Sequence, residues 1–273
     1  MRVAFLLVRH PPDRVSPVIP EVIRRLSDRG IAVDPIYPDD GAEPESVGYD
    51  LCVLKAKTDR ALHCAEALHA RGCATLNPYP VAALCRDKIA TTRVLARSGV
   101  PVPSTYVAPS ARDLAPLLDG GPLIVKPYRG SQGRGIRVVD RPEDLGALEL
   151  GSDPVMAQRY LPPDEPDHKI YRIGEEFFCV QQTWPPKTYA DKVGRRTPVT
   201  GTIRELAERC GTALGIDLYG VDVIIHDGRP YVVDLSSFPG FKGVPDVARR
   251  LADYIQSRAE RSGVPAVFRT TEV

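Results

Sequence analysis

The sequence predicts a chain of mixed α/β and α+β class, in which a small parallel α/β domain precedes a region of two lobes. Residues 1–85 alternate between short apolar runs and segments of helical periodicity, which is typical of parallel strands joined by helices. Beyond that point the apolar runs come as hairpin-like pairs, which indicate antiparallel strands. We therefore expect domains at residues 1–85, 86–161 and 162–273.

The first domain begins with a strand over Val3–Val8, and "SPVIPEVIRRLSDRG" then has the spacing of an amphipathic helix that ends at Gly30. The strand "IAVDPIY", the apolar run "DLCVLKA", the helix "RALHCAEALHARG" and the segment "ATLNPYP" follow in that order. This alternation predicts a parallel sheet. The opening apolar run is too short for a signal peptide or a membrane span, so we expect a cytoplasmic protein.

The second domain begins with a helix over residues 86–98, which Gly99 ends. Two strands, "PLIVKP" and "GIRVVD", flank a loop that contains Gly130 and Gly133, and we expect these strands to be antiparallel. The segment "VMAQRYL" is a further predicted strand. This domain therefore presents a glycine-rich flap between two strands.

The third domain contains two predicted hairpins. The first, "HKIYRIGEEFFCVQQ", turns at Gly174 and Glu175, and the second is "LYGVDVIIHDGRPYVVDLSSFPG". Residues 183–200 lack periodicity and are rich in Pro, Lys and Arg, so we expect a mobile basic loop there. A helix at "TIRELAERCGTAL" and a final helix near residues 244–258 complete the chain.

The charge balance restricts the class of partner. The chain has 36 Lys and Arg residues and 35 Asp and Glu residues, a net charge of +1. Such a balance gives no overall field to recruit nucleic acid or an anionic membrane. We expect a small anionic molecule as the partner, no nucleic acid and no membrane, with a homodimer as one assembly compatible with the sequence.

The glycine-rich stretch "LIVKPYRGSQGRGI" is typical of a backbone that approaches a phosphate closely. It is not a P-loop, because its lysine precedes the glycines. It is not a dinucleotide fingerprint either, because it leads into a strand and not a helix. By itself this stretch could also be a simple turn.

Five segments together resemble the ATP-grasp superfamily, namely "RDKIATTRVLARSGVPVPSTYV", "LIVKPYRGSQGRGI", "VMAQRYL", "HKIYRIGEE" and "GVDVIIHDGRPYVVDLSSFPG". They occur in the order and approximate spacing of that superfamily and cover about residues 75–258. Residues 1–85 suit the α/β domain that usually precedes an ATP-grasp fold. The resemblance implies a two-lobed ATP-grasp fold, with ATP and Mg²⁺ as cofactors.

The resemblance also implies which residues bind the nucleotide. Lys88 is similar to the lysine that reaches the phosphates, and Lys126 to the one that contacts the α-phosphate. Backbone groups of the flap would bind the terminal phosphates, and a hinge beginning at Gln158 would bind the adenine through backbone groups of Arg159 and Leu161. The flap residues implied are Ser131, Gln132 and Gly133.

Asp222, Asp234 and Ser236 are similar to the magnesium ligands of the superfamily, which usually has Asn where this chain has Ser236. That departure puts a second metal ion in doubt, because an amide oxygen ligates metal more readily than a hydroxyl does. A structural salt bridge is the alternative role for the aspartates. A two-residue turn at Asp227 and Gly228 would set Asp222 opposite Val233, so we expect an odd-length loop or a bulge that brings the two aspartates together.

Two enzyme classes share this architecture. "KPYRGSQGRGI" is similar to RimK-like carboxylate–amine ligases, whereas Lys169, the two aspartates and "DLSSFPGFKGV" are also similar to the inositol-trisphosphate kinase family. A nucleotide-binding protein without turnover is a third alternative. We expect a ligase that forms a C–N bond through an acyl phosphate, with Lys169 and Arg172 as catalytic residues. The residues expected to bind the anionic substrate are Arg195, Arg196 and Lys242.

Overall fold

The computed structural model describes residues 1–11, 16–44, 48–127, 135–146, 148, 154–183, 188, 191 and 193–262. The flap residues Ser131, Gln132 and Gly133, expected to bind phosphate, lie outside these described residues. No helix among the described residues combines the length and the apolar character needed to cross a membrane.

The first sheet has four parallel strands, as the alternating pattern predicted. Its order is β2-β1-β3-β4, with the pairs β1/β2, β1/β3 and β3/β4 all parallel, where β1 is Arg2–Leu6, β2 Ala32–Ile36, β3 Leu51–Leu54 and β4 Thr75–Leu76. Helices α1 (Val18–Ser27) and α2 (Asp59–Ala70) connect these strands, and a 3-10 turn covers Pro38–Asp40. The side chain of Thr58 caps α2 by accepting a hydrogen bond from the backbone of Ala61, 3.3 Å away.

The second sheet is antiparallel, and two helices lead into it. Helices α3 (Tyr79–Leu84) and α4 (Lys88–Arg97) precede strands in the order β5-β8-β6-β7, where β5 is Thr105–Ala108, β6 Leu123–Pro127, β7 Arg137–Val139 and β8 Val155–Arg159. A 3-10 helix over Ala111–Gly120 and the short α5 (Pro142–Leu145) pack on this sheet. The predicted antiparallel pairing of the strands that flank the flap, β6 and β7, is confirmed.

The third sheet carries both predicted hairpins and has the order β11-β10-β9-β12-β13. Its strands are β9 Asp167–Ile173, β10 Glu176–Gln182, β11 Arg195–Thr197, β12 Leu218–His226 and β13 Arg229–Ser236, and α6 (Gly201–Leu214) joins β11 to β12. The expectation of an aperiodic loop through residue 200 was wrong at β11, which pairs antiparallel with β10. A three-residue edge strand rich in arginine has too few residues to show alternation, so its sequence resembles a loop.

The last helix, α7 (Val247–Ser262), joins the first sheet to the third. Its buried Leu251 and Ile255 belong to the same core cluster as Phe5 of β1, Tyr171 of β9 and Phe238. The other face of the third sheet packs against α6 in a separate cluster. As a result, the carboxyl end of β3 lies against the end of β13, where the functional residues are found.

Candidate active site

Asp222 and Asp234 lie directly opposite each other on β12 and β13. The hairpin has the two-residue turn that Asp227 and Gly228 predicted, because His226 pairs with Arg229. The register then shifts between Asp222 and Val223, and Val233 is the extra residue. The expected bulge is therefore confirmed, and it is what brings the two carboxylates together.

A single row of residues crosses one face of the third sheet through these aspartates. Successive partners from the first edge to the last are Arg196, Val180, Lys169, Asp222 and Asp234. Directly paired residues point to the same side of a sheet. The row therefore places a cationic residue at one end and two carboxylates at the other, and we call this side the site face.

Two lysines form ion pairs with the aspartates. Lys169 Nζ lies 2.5 Å from Asp222 Oδ1, and Lys88 Nζ, at the start of α4, lies 2.6 Å from Asp234 Oδ1. Burial opposes ionisation of Asp234, but Lys88 and its neighbours outweigh it and lower the pKa of this carboxyl. Burial likewise opposes the charge on Lys169, and Asp222 reverses the balance so that the pKa of Lys169 is raised. The carboxylate of Asp234 is thus held ionised.

Lys126 connects the second sheet to the third. Its ammonium donates to Gln158 Oε1 at 2.7 Å and to the carbonyl of the bulged Val233 at 3.1 Å. Gln158 is fixed in turn by a 3.1 Å hydrogen bond to Thr105 Oγ1. Only 5% of Lys126 is exposed, and burial lowers its pKa to about 8. Such a buried ammonium with neutral acceptors is favourably placed to receive an anion.

The side chain and the backbone of Arg159 have different surroundings. Its guanidinium donates to the carbonyl of Leu117 at 2.9 Å and to that of Gly121, so it fastens the 3-10 helix to β8. The backbone N–H of Arg159 donates to the carbonyl of Ser104, and the next N–H along the chain, that of Tyr160, donates to Pro122. The guanidinium and the backbone N–H of Arg159 are therefore both engaged within the protein. The adenine-binding role that the resemblance implies for Arg159 and Leu161 stays a prediction.

Sequence reasoning missed two lysines at the carboxyl end of β3. Lys55 Nζ donates to the carbonyls of Phe238 and Pro239 at 3.1 and 3.0 Å, and burial lowers its pKa to about 7. Lys57 Nζ donates to Ser236 Oγ at 2.6 Å. Their position after a predicted parallel strand could have identified them as candidate site residues, because ligands often bind beyond the carboxyl ends of parallel strands.

Asp167 is a third acidic residue on the site face that was not predicted. It lies two residues before Lys169 on β9, so both side chains point to the same side of the sheet. Burial, reinforced by the charge of Asp222, raises the pKa of Asp167 to about 6.

Arg172 does not lie at this site, so the expectation that Arg172 is a catalytic residue is corrected. It lies three residues after Lys169 on one strand, so the two side chains point to opposite faces. Its guanidinium donates to the carbonyl of Gly174 at 2.7 Å and lies 5.1 Å from the ring centre of Phe177. Arg172 lines a cavity of about 260 Å³ beside α6, away from the aspartates.

Of the three expected substrate residues, Arg196 shares the face of the aspartates. Arg195 is on the other face, where it donates to Gln181 Oε1 at 2.7 Å, so its expected role in this site is also corrected. The backbone of Lys242 lies beside the Tyr171 hydroxyl, on the site face, and the role of Lys242 in substrate binding stays a prediction. Arg196 lies three strands from Asp222, a separation of about 14 Å.

Cationic groups outnumber the carboxylates in the described part of the site. Four lysines from three sheets and one helix lie near the three aspartates, and a fifth contacts the backbone just beyond Ser236. The lysines are Lys55, Lys57, Lys88, Lys126 and Lys169. This excess favours a ligand with several negative charges.

The comparisons with known proteins agree with this geometry. A model of the RimK-like ATP-grasp domain matches residues 85–255. The chain is 30% identical over 233 residues to the glutamate–LysW ligase ArgX of Sulfurisphaera tokodaii, covering 76% of this chain and 82% of that relative.

The chain belongs to the RimK-like ATP-grasp family.

A second relative supports the same class of enzyme, and a solved structure supports the same fold. A probable alpha-L-glutamate ligase of Serratia proteamaculans is 27% identical over 202 residues, 67% of each chain. The crystal structure of a RimK domain ATP-grasp protein from Sphaerobacter thermophilus superposes with a TM-score of 0.73 at 22% identity, covering 94% of this chain and all of that one. This RimK-like protein is an ATP-grasp enzyme that uses ATP, and the comparisons favour a C–N ligase over the kinase alternative.

Proposed function

We propose that this ATP-grasp ligase uses Mg²⁺ and ATP to convert a small anionic carboxylate into an acyl phosphate, which an amine then attacks. The observation that carries the proposal is the pair of opposed aspartates, Asp222 and Asp234, within a group of five lysines. A polyphosphate and a developing acyl phosphate both require this combination of metal ligands and fixed positive charge.

The nucleotide would lie between the second and third sheets. Lys126 and Lys88 would contact its phosphates, and the backbone groups of residues 131–133 would bind them as the resemblance implies. Gln158 would orient Lys126 while the backbone of Arg159 and Leu161 binds the adenine. Support for this placement comes from Lys126, whose buried ammonium has neutral acceptors and lies between the two sheets.

The residues present fit one Mg²⁺ ion. Asp222 and Asp234 offer hard carboxylate oxygen ligands on adjacent strands, and each lysine contact uses only Oδ1 of its aspartate. Bound there, the ion would neutralise charge on the phosphates. Ser236 fits less well as a third ligand, because its hydroxyl is uncharged and accepts a hydrogen bond from Lys57.

The carboxylate and the amine would meet on the row that links the aspartates to Arg196. Lys169 would stabilise the oxyanion that forms when the amine attacks, and Asp167 would accept a proton from that amine. Arg196 would hold a second anionic group of the substrate. Since named relatives are glutamate ligases, we propose an acidic amino acid as one of the two substrates.

This proposal needs one chain only, because every residue that it uses comes from the same polypeptide. Sedimentation equilibrium would determine whether a homodimer forms as well. We also propose the cytoplasm as its location, where ATP is available.

The test is a screen of carboxylates against amines, with acidic amino acids first, in which ADP and inorganic phosphate are measured together. The proposal predicts equimolar ADP and phosphate only when both substrates are present. Release of ADP with a phosphate ester and no free phosphate would contradict it. Lys126→Met should abolish the ADP signal, whereas Arg195→Gln, on the opposite face of the sheet, should retain it.

A further inference from the structure

The contact between Lys57 and Ser236 joins two parts of the chain that are 179 residues apart. Lys57 follows the carboxyl end of β3 in the first sheet, and its Nζ lies 2.6 Å from Ser236 Oγ at the end of β13. Burial lowers the pKa of this ammonium, the charge of Asp234 opposes that shift, and the charges of Lys88 and Lys169 reinforce it. The hydroxyl of Ser236, the third predicted metal ligand, therefore already accepts a hydrogen bond from a cationic side chain.

Ser236 differs from the two aspartates in what it can offer to a metal. Each aspartate has a second carboxylate oxygen beyond the one that contacts its lysine. Ser236 has a single, uncharged side-chain oxygen. A divalent ion bound to that oxygen would lie within a few ångströms of the Lys57 ammonium, and the two like charges would repel each other.

The charges of the groups in contact agree with a single ion. The five lysines and three aspartates of the site carry two excess positive charges when all of them are ionised. Fully ionised ATP carries four negative charges, so one Mg²⁺ brings the total to zero. A second Mg²⁺ would leave two positive charges in a partly buried site.

We propose that Lys57, positioned by Ser236, supplies as a fixed ammonium the charge that a second metal ion would bring, so that the site binds one divalent ion per nucleotide. This inference rests on the proposed function, because it takes Asp222 and Asp234 as the ligands of that one ion. It also assigns to the first sheet a direct part in the active site, through a residue that the five matching sequence segments do not include.

The experiment counts bound Mn²⁺ by electron paramagnetic resonance while the full-length protein is saturated with the ATP analogue AMPPNP. One Mn²⁺ per bound nucleotide is the expected result. Two would overturn the inference and leave the proposed function intact. No bound Mn²⁺ would overturn the proposed function as well, so the two failures are distinguishable.

Variants then test whether Lys57 and Ser236 together exclude the second ion. The double variant Lys57→Met with Ser236→Asn should bind two Mn²⁺, whereas Ser237→Asn, a matched control at the next position, should bind one. Ser236→Ala should keep the wild-type Mn²⁺ affinity within about twofold.

Thermal unfolding verifies that each variant is folded, and Lys57→Gln replaces Lys57→Met in the double variant if the latter does not fold. A single Mn²⁺ in the folded double variant, or an affinity loss above about tenfold in Ser236→Ala, would overturn the assignment.

Discussion

Nucleotide binding should cause Lys126 to take up a proton, and the pKa of Lys126 in the free protein determines how much proton uptake is measured. Burial lowers the pKa of this ammonium from 10.5 to about 8. A bound phosphate would offset that burial and return the pKa towards its ordinary value. At pH 9 about nine-tenths of Lys126 is neutral in the free protein, so binding should take up about 0.9 proton. The expected uptake is about 0.5 proton at pH 8 and about 0.1 at pH 7.

The same shift determines how affinity and stability depend on pH. Above pH 8 the nucleotide affinity should fall by up to about tenfold per pH unit, because the free protein must first be protonated. In the absence of nucleotide the unfolded chain keeps this proton up to about pH 10.5, whereas the folded chain releases it near pH 8. The contribution of Lys126 to the free energy of unfolding therefore rises with pH between these values, by about 3 kcal/mol in total.

Isothermal titration calorimetry in buffers of different ionisation enthalpy measures this proton uptake directly. The wild-type protein and Lys126→Met should be compared at pH 7, 8 and 9, with enough nucleotide to saturate the weaker binder. Lys55, with a pKa near 7, adds its own uptake to both proteins, so the difference between them isolates Lys126. The reasoning would be refuted if both proteins took up the same number of protons at pH 9.

Three further predictions separate the site face from its surroundings. Asp222→Asn should lower kcat at least about 1,000-fold in a steady-state assay and should lower Tm by only a few degrees. Asp227→Asn, at the exposed tip of the same hairpin, is the control and should keep the wild-type kcat. Arg172→Met should keep kcat within about twofold while losing about 1 kcal/mol of stability to urea, because its hydrogen bond is structural; a large loss of kcat would restore the catalytic role that we have rejected. Arg196→Gln should raise KM for the anionic substrate about tenfold and Arg195→Gln should not, and equal KM values would show that Arg196 does not contact the substrate.

Local sequence patterns predicted most of the fold. The first sheet followed from the alternation of strands and helices, and both hairpins of the third sheet followed from glycine-containing turns at Gly174 and Gly228. The pairing of Asp222 with Asp234 could also be predicted, because with a two-residue turn the two aspartates face each other only if one strand contains a bulge. These features depend on residues that are close in sequence.

The features that sequence reasoning missed depend on distant contacts or on strand alternation. Lys57 contacts a residue 179 positions away, and no local pattern indicates that the first sheet meets β13. The error at Arg172 was avoidable, since a residue three positions after Lys169 on a strand cannot share its face. β11 was missed because Arg195 and Arg196 form an edge strand that is held by pairing with β10 and not by an apolar pattern.

Transfer of oxygen from the carboxylate to phosphate tests the central claim most directly. Once the screen has identified a substrate pair, the carboxylate is labelled with ¹⁸O and the inorganic phosphate released is analysed by phosphorus NMR. An acyl-phosphate ligase must leave one ¹⁸O atom in each phosphate, because the amine displaces phosphate together with the former carboxylate oxygen. We predict this singly labelled phosphate. Unlabelled phosphate, or label retained in a phosphorylated product, would contradict the account.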